Sequence, residues 1–177
     1  MAGRDLAAFA AFVAARSGAL HRAAYLLVGD AGLAQDLVQE ALTKTYVAWP
    51  RLRRPEAAEA YTRKAITTTA ITWFRKRSWN AERVAEQLPE GSTEGPADVL
   101  AARHDLVAAL AQLPPRQRAV IVLRYYEDLT ERQTAEVLGC AVGTVKSQAS
   151  TALRRLRELM GDDLDIDDLL PTEGVPA

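Results

Sequence analysis

The 177-residue sequence contains very few of the residues that build disulfides and metal centres. Its single cysteine, Cys140, rules out an internal disulfide and any zinc site formed by several cysteines. The two histidines, His21 and His104, are far apart in the chain, so we expect no metal site. We interpret Cys140 as a small packed residue rather than a redox sensor.

Long apolar runs and the motifs of common enzymes are also missing. No run approaches the roughly 18 apolar residues of a membrane span, and the N-terminal residues lack the apolar core of a secretory signal. We therefore expect a cytoplasmic protein. The sequence has no phosphate-binding P-loop, no paired Cys/His spacing and no Gly-x-Ser-x-Gly turn. These absences disfavour an enzyme, and we expect no cofactor.

Residues that favour helices dominate what is present. Ala, Leu and Arg are abundant, and β-branched runs bounded by turns are scarce. We predict an all-α fold made of two small helical domains joined by a flexible acidic linker. The predicted divisions are residues 1–80, 81–99 and 100–160, followed by an acidic tail over residues 161–177.

Charge is segregated along the chain although the net charge is only −1. Residues 1–80 carry +6 and residues 100–160 carry +3, whereas residues 81–99 carry −4 and residues 161–177 carry −6. The acidic stretches coincide with those that are rich in Gly and Pro. Two basic blocks separated by an acidic connector predict that the blocks bind a polyanion.

The segment Thr130–Arg157 has the pattern of a helix-turn-helix, whose second helix enters the DNA major groove. Thr130 and Gln133 have the spacing of a capping box, which predicts the start of the first helix. Gly139 predicts its end, because glycine readily adopts left-handed backbone. In the second helix, apolar residues recur at three- and four-residue steps and leave small polar and basic residues on the other side. The alternative is a solvated face on an ordinary hairpin, which the cap and the glycine-bounded turn disfavour.

Prolines, glycines and apolar periodicity divide the rest of the chain. Pro50 and Pro55 predict a loop over Trp49–Pro55. Polar residues with Gly and Pro predict a flexible linker over Gln87–Ala97. The predicted helices are about Leu6–Ser17, Ala19–Val28, Ala31–Ala48, Glu56–Arg77, Asp98–Leu113 and Pro115–Tyr126.

Several motifs, taken in order, resemble those of one protein family, the extracytoplasmic-function (group 4) sigma factors, and within it the SigE-like subgroup. Asp36–Glu40, which reads Asp-Leu-Val-Gln-Glu, is similar to region 2.2 of that family. Tyr61–Arg77 is similar to regions 2.3 and 2.4. Leu113–Arg118, Leu123–Tyr125 and Leu138–Ser147 strongly resemble region 4.

This resemblance, which covers about residues 6–160, implies a promoter-specificity subunit of bacterial RNA polymerase. In the family, region 2 docks on the coiled coil of the β′ subunit and melts the −10 promoter element. Region 4 docks on the β flap and reads the −35 element. The implied partners are RNA polymerase core and promoter DNA, and an anti-sigma factor is a further partner that the resemblance allows.

The resemblance also implies roles for individual residues on two helices. The implied polymerase-binding residues are Asp36, Leu37, Gln39 and Glu40. Carboxylates at these positions suit a basic partner surface. We expect Leu37, Ala41 and either Leu42 or Tyr46 to face the domain core. The implied −35 contacts are Thr144, Lys146, Ser147, Gln148, Ser150, Thr151 and Arg154.

Melted DNA needs aromatic partners for its unstacked bases and cations for its backbone, and the segment after residue 48 offers both. The implied −10 contacts are Arg51, Arg53, Arg54, Tyr61, Arg63, Lys64, Trp73, Arg75, Lys76 and Arg77. Core packing is the alternative for Trp73 and Phe74. We expect Phe74 to be buried with Ile66, and Trp73 to lie nearer the surface.

Some positions depart from the pattern of the family. Thr68 and Thr72 stand where Asn and Asp are frequent, and Gln148 stands where many relatives have Arg. Ala141 stands where a serine commonly caps the second helix, so we expect a softer helix start unless Thr144 compensates.

Two other functions fit parts of the sequence. A stand-alone repressor or activator would use the same helix-turn-helix, but residues 1–80 have no pattern of a phosphoacceptor α/β domain or a ligand pocket. An enzyme would need one of the missing motifs. We also predict that, in the absence of polymerase, the two blocks pack together and bury their promoter-reading faces.

Overall fold

The computed structural model describes the backbone of residues 2–52, 54–80 and 97–161 and, within them, the side chains of residues 6–52, 54–76 and 102–161. All regular secondary structure in these ranges is helical, which confirms the predicted all-α class.

Seven α-helices are present in the described residues. They are α1 (Ala2–Val28), α2 (Ala31–Ala48), α3 (Pro55–Asn80), α4 (Ala97–Ala111), α5 (Pro115–Ile121), α6 (Glu131–Leu138) and α7 (Val142–Met160). The predicted linker over Gln87–Ala97 lies outside the described residues, except for Ala97, at which α4 begins.

Helix α1 is continuous, so the predicted break between Ser17 and Ala19 is wrong. Gly18 costs roughly 1 kcal/mol relative to alanine inside a helix, which weakens the helix but does not end it. The Nδ1 atom of His21 donates a hydrogen bond to the Ser17 carbonyl oxygen at 2.7 Å and supports the helix at this point. The chain leaves the helix at Gly29, whose φ of 72° is left-handed.

Helix α2 begins and ends at the predicted residues because its start is capped. Asp30 has an extended backbone, and its carboxylate accepts a hydrogen bond from the Leu33 amide at 2.7 Å. Leu37 and Ala41 are fully buried, as expected from the apolar periodicity. They lie on the side of α2 that packs against α1 and α3.

The segment that follows α2 contains a 3₁₀ turn over Trp49–Arg51, where the sequence predicted an irregular loop. Pro50 lies in the first turn of this short helix, where its missing N–H is tolerated. Helix α3 then begins at Pro55. A buried hydrogen bond of 2.8 Å between the hydroxyls of Thr45 and Thr62 joins α2 to α3.

Helix α5 begins at Pro115, and the chain stays helical to Tyr126 through a π-helical turn over Val122–Tyr126. The predicted end of this helix is therefore right, but the last turn is wider than an α-helical turn. Asp128 follows with a φ of 50° and redirects the chain towards α6.

The helix-turn-helix has the predicted caps. Thr130 Oγ1 accepts a hydrogen bond from the Gln133 amide at 3.2 Å, and Gln133 Oε1 accepts one from the Thr130 amide at 2.8 Å. Gly139 ends α6 in a left-handed conformation with a φ of 62°. Ala141 precedes α7 and provides no side-chain cap.

The two basic blocks are in direct contact. Helices α1 and α3 of the first block pack on α4, α5 and α6 of the second, and one hydrophobic cluster includes residues of both blocks. The outward face of α7 remains exposed. The expected packing of the blocks is thus present, but the expected burial of the promoter-reading face is wrong for α7. The predicted domain boundaries stay a prediction.

Candidate nucleic-acid interface

Helix α7 turns one side to the core and the other to solvent. Val145, Ala152 and Leu156 are fully buried, and the helix packs on α4, α5 and α6. This packing determines the rotation of α7 about its axis. The exposed members of the predicted −35 set are Lys146, Ser147, Ser150 and Arg154. They point away from the core, so a DNA groove can reach them.

The other predicted −35 contacts lie at the edges of this exposed face. Thr144, Gln148 and Thr151 are half-buried. Lys146 Nζ lies 3.6 Å from a carboxylate oxygen of Glu131, the first residue of α6. Because both side chains are well exposed, this ion pair contributes little to stability and does not prevent Lys146 from meeting a phosphate.

Among the described members of the predicted −10 set, Arg51 lies on the 3₁₀ turn, Arg54 directly precedes α3, and the others lie along α3. The exposed members of this set are Arg51, Arg54, Tyr61, Lys64, Arg75 and Lys76. The side chains of Arg53 and Arg77 lie outside the described residues. Tyr61 and Lys64 are three residues apart on α3 and are therefore neighbours on its surface. An exposed ring next to a cation suits a single strand of nucleic acid.

Arg63 belongs to the predicted −10 set, but its guanidinium is already occupied. It pairs with Glu59 at 3.1 Å and with Glu127 at 2.7 Å, and its side chain is only 17% exposed. Glu59 also pairs with Arg16 of α1 at 2.7 Å. Arg63 is thus turned into the contact between the blocks and is not available to DNA in this conformation.

The sequence predicted that Phe74 is buried and that Trp73 lies nearer the surface, but the structure does not show this difference. Both are half-buried and pack against the hydrophobic cluster, so Phe74 is not the deeper core residue that was expected. Phe74 faces Arg118, whose guanidinium carbon lies 4.7 Å from the centre of the ring. Ile66 is buried as predicted. Only part of the Trp73 indole ring is therefore accessible.

Arg118 is a buried cation that the sequence reasoning did not single out. Its guanidinium donates hydrogen bonds to the carbonyl oxygens of Leu27 at 2.7 Å, Ala111 at 2.8 Å and Leu113 at 3.2 Å. Burial lowers the pKa of Arg118 to about 10, so the side chain is still protonated at neutral pH. Because Leu27 belongs to α1, Arg118 ties the second block to the first.

The predicted polymerase-binding residues on α2 divide into accessible and buried ones. Asp36 and Gln39 are exposed, and Glu40 is partly exposed and pairs with Lys44 at 2.7 Å. Leu37 has no exposed surface. Its assignment to the docking set is wrong, because a fully buried side chain cannot touch a partner.

Exposed apolar side chains extend this face of α2 and were missed by sequence reasoning. Tyr46 is 50% exposed and Val47 is 76% exposed. Leu42, not Tyr46, packs against the core, which decides between the two residues that periodicity left open. The sequence could have predicted this position of Val47. Val47 follows Asp36 by about three helical turns, so the two residues lie on the same face of α2.

The described residues provide no metal site and no membrane span. Within residues 2–52, 54–80 and 97–161, no group of His, Cys, Asp and Glu side chains is arranged to hold a metal ion. No helix in these ranges has an apolar stretch that could traverse a bilayer. Cys140 is half-buried beside the hydrophobic cluster, in agreement with its interpretation as a packed residue.

Comparison with known protein families agrees with this arrangement of helices and faces. Residues 12–80 match the family described as sigma-70 region 2, and residues 103–156 match the family described as sigma-70, region 4. The RNA polymerase sigma-E factor of Streptomyces avermitilis is 41% identical over 166 residues, which are 93% of this chain and 92% of that protein. The sigma-E factor of Streptomyces coelicolor is 42% identical over 89% of both chains.

Two more distant relatives also match this chain, one by sequence and one by structure. The ECF RNA polymerase sigma factor SigL of Mycobacterium tuberculosis is 35% identical over 78% of this chain and 80% of its own. The sigma factor RpoE, solved in complex with the anti-sigma factor NepR from Bartonella quintana, matches with a TM-score of 0.70 at 25% identity over 86% of this chain and 96% of that chain. Sequence, fold and exposed faces therefore lead to one conclusion: the chain belongs to the extracytoplasmic-function RNA polymerase sigma factors and directs promoter-specific initiation of transcription.

Proposed function

We propose that this sigma factor reads the −35 element with the exposed face of α7. The observation that carries the proposal is the rotation of α7, which buries its apolar side and leaves Lys146 and Arg154 in solvent. Between these cations lie Ser147 and Ser150, whose small side chains let the helix approach base edges closely. The cations are suited to the phosphates on either side.

The second part of the proposal assigns the melted −10 element to the 3₁₀ turn and α3. Arg51 and Arg54 flank the short connection before α3, and Tyr61 and Lys64 follow on its exposed side. A backbone of phosphates requires the cations, and unstacked bases require a ring such as that of Tyr61. Trp73 contributes only the part of its ring that remains accessible.

The third part of the proposal assigns polymerase core to the exposed face of α2. Asp36 and Glu40 supply carboxylates, and Tyr46 and Val47 supply exposed apolar surface at the other end of the helix. Interfaces commonly combine an apolar centre with a polar rim, and aromatic residues are enriched in them. A basic partner surface with an apolar patch fits this face.

We also propose that an anti-sigma factor controls this chain and that it acts in the cytoplasm. The Bartonella quintana relative was solved with an anti-sigma factor bound, and we extend that kind of partner to this chain. We assign no catalytic step to the chain, since sigma factors act by binding. RNA polymerase and promoter DNA lie in the bacterial cytoplasm, so the proposed site of action is cytoplasmic.

The salt dependence of promoter binding tests the assignment of α7. Lys146→Ala and Arg154→Ala each remove a cation that is proposed to contact DNA. In the holoenzyme, on a promoter identified by run-off transcription, each variant should bind more weakly. The slope of log affinity against log salt should become shallower by about 1 for each lost phosphate contact.

Arg155→Ala is the matched control for this experiment. Arg155 lies roughly 100° around α7 from Arg154, because successive residues are separated by that angle. Arg155 pairs with Glu158 at 3.3 Å. Its replacement by alanine removes one positive charge, as Lys146→Ala and Arg154→Ala each do. An unchanged affinity and slope in both Lys146→Ala and Arg154→Ala would refute the assignment, as would equal losses in Arg155→Ala.

A further inference from the structure

The junction between the two blocks places a carboxylate of the second block on a cation of the first. Arg63 Nε of α3 donates a hydrogen bond to Glu127 Oε2 at 2.7 Å. Glu127 directly follows the π-helical turn that leads into the helix-turn-helix. The two side chains are 17% and 15% exposed, so solvent and salt screen this pair much less than a surface pair.

Two more polar contacts cross the same junction. Arg22 Nε of α1 donates to the hydroxyl of Tyr126 at 3.0 Å. Arg118 donates to the carbonyl oxygen of Leu27 at 2.7 Å. Each contact pairs an arginine with an acceptor in the other block, and together they hold α1 and α3 against the second block.

Apolar side chains close the junction beneath the ion pair. Leu27 and Ile66 of the first block meet Val122 and Leu123 of the second, and all four are buried. The cavity that they leave is only about 10 Å³. A single water molecule needs about that much space. Arg63 and Glu127 line the same space, so their ion pair lies directly on the apolar contact between the blocks.

We infer that Glu127 is an intramolecular competitor of promoter DNA at Arg63. The inference rests on the proposed function, in which Arg63 is part of the −10 surface. A carboxylate and a phosphate are both anions that accept hydrogen bonds from a guanidinium, so Glu127 occupies the position of a phosphate. The closed conformation therefore lacks a cation of the −10 surface while the −35 face of α7 stays open.

Separation of α3 from Glu127 breaks the ion pair and releases Arg63. A partner that binds both blocks more strongly in the separated arrangement shifts the population towards it. Polymerase core, to which the family resemblance assigns a docking site for each region, is a partner of this kind. The junction thus links −10 binding to assembly with polymerase.

Separation of the blocks can be measured in the full chain. Spin labels at Ala10→Cys and Glu136→Cys, in a Cys140→Ser background, report the distance between exposed positions of the two blocks. Glu127→Gln should shift the population to longer distances, because the ion pair loses a charge. Asp128→Asn is the matched control: it removes the adjacent, exposed carboxylate, and Asn tolerates the φ of 50° at that position.

DNA binding without polymerase gives the second readout. The probe is a short single-stranded oligonucleotide of random sequence. Glu127→Gln should bind it on the order of tenfold more tightly than the unaltered chain, the typical value of a charge-assisted hydrogen bond. Asp128→Asn should match the unaltered chain. Exchange of the partners, Arg63→Glu with Glu127→Arg, should keep the short distance of the unaltered chain and should bind the oligonucleotide no more tightly than the unaltered chain does.

The outcomes separate this inference from the proposed function. If Glu127→Gln keeps the short distance and the original affinity, the inference is overturned, and it is also overturned if the blocks separate with no gain in affinity. If Arg63→Ala leaves the gain of Glu127→Gln intact, other residues of α3 bind the DNA. The inference that Glu127 competes with DNA at Arg63 is then wrong, although the assignment of the −10 element to α3 stands. Far-UV circular dichroism checks the helix content of each variant. If Glu127→Gln alone does not fold, the distance in the charge-exchange variant is the test, and a long distance there contradicts the closing role of the ion pair.

Discussion

Thr134 and Arg118 each bury a polar atom that has no hydrogen-bond partner, the Thr134 Oγ1 and the Arg118 Nε. An unpaired buried group costs roughly 1–3 kcal/mol. At Arg118 the other guanidinium nitrogens donate to three carbonyl oxygens, which offsets the cost. The Thr134 side chain has only this one polar atom, so nothing compensates its burial.

Thr134→Val should therefore stabilise the chain. Valine keeps the branched shape and replaces the unpaired hydroxyl by a methyl group, which should raise the free energy of unfolding by about 1 kcal/mol. Urea denaturation measures this change. Thr45→Val is the contrasting variant, because the Thr45 hydroxyl is hydrogen-bonded to Thr62 at 2.8 Å and its loss should destabilise. A lower stability of Thr134→Val would contradict the prediction.

Residue roles were predictable where helical periodicity decides them. Lys146 and Arg154 are exposed, as their positions opposite the apolar side of α7 predicted. Leu37 was assigned to the docking surface from the family motif, but it shares a face of α2 with Ala41, four residues later, and both are fully buried. Helical periodicity therefore predicted the burial of Leu37 correctly, whereas the family motif wrongly included Leu37 among the docking residues.

Helix boundaries were predicted well where a local cap decides them. The Thr130–Gln133 capping box starts α6, as predicted. Asp30 caps the start of α2, although it was not among the predicted caps. The break at Gly18 was wrong, because a glycine inside an amphipathic helix costs less than the packing of the helix supplies. The π-helical turn over Val122–Tyr126 has no local signature that we recognised.

Ala141→Ser should stabilise the start of α7. Ala141 has an extended backbone with a φ of −73° and a ψ of 151°, the conformation of a capping residue, but it provides no side-chain acceptor. A serine hydroxyl there can accept from an amide of the first turn, which should raise the free energy of unfolding by about 1 kcal/mol. Thermal denaturation followed by circular dichroism measures the gain.

Ala141→Val is the control for this cap, because it adds side-chain volume at the same exposed position without an acceptor. It should not reproduce the gain. Equal stability of the serine variant and the unaltered chain would mean that the exposed amides of α7 are already satisfied by water.

The exposed face of α2 has consequences for the whole molecule, because it is the surface proposed to hold polymerase. Asp36→Arg combined with Glu40→Arg turns two carboxylates into cations. Like charges opposed across an interface cost enough to weaken binding of core enzyme by roughly 100-fold or more. Binding to purified core enzyme measures the loss, and circular dichroism checks that the variant is folded.

Glu56→Arg provides a comparison for this variant. Glu56 is an exposed carboxylate in the first turn of α3, outside the proposed docking face. Its reversal should leave binding of core enzyme unchanged. If the double variant of α2 binds core enzyme as tightly as the unaltered chain, the docking surface lies elsewhere.

The sequence by itself determined the helical class, most helix boundaries and the outward face of α7. These properties depend on local physics: caps act on amides within one turn, and periodicity acts over a few turns. The order of the motifs also identified the family. The same information placed Arg63 on a basic surface, since it lies on α3 among other cations.

Only the tertiary structure decided what Arg63 touches. Its partner Glu127 is 64 residues away in the sequence, and no local pattern specifies a pairing at that separation. The same holds for Arg118 and the carbonyl oxygen of Leu27, which are 91 residues apart. Such contacts exist because the apolar faces of α1, α3 and the π-helical turn pack together, and that packing selects which of many charged side chains meet.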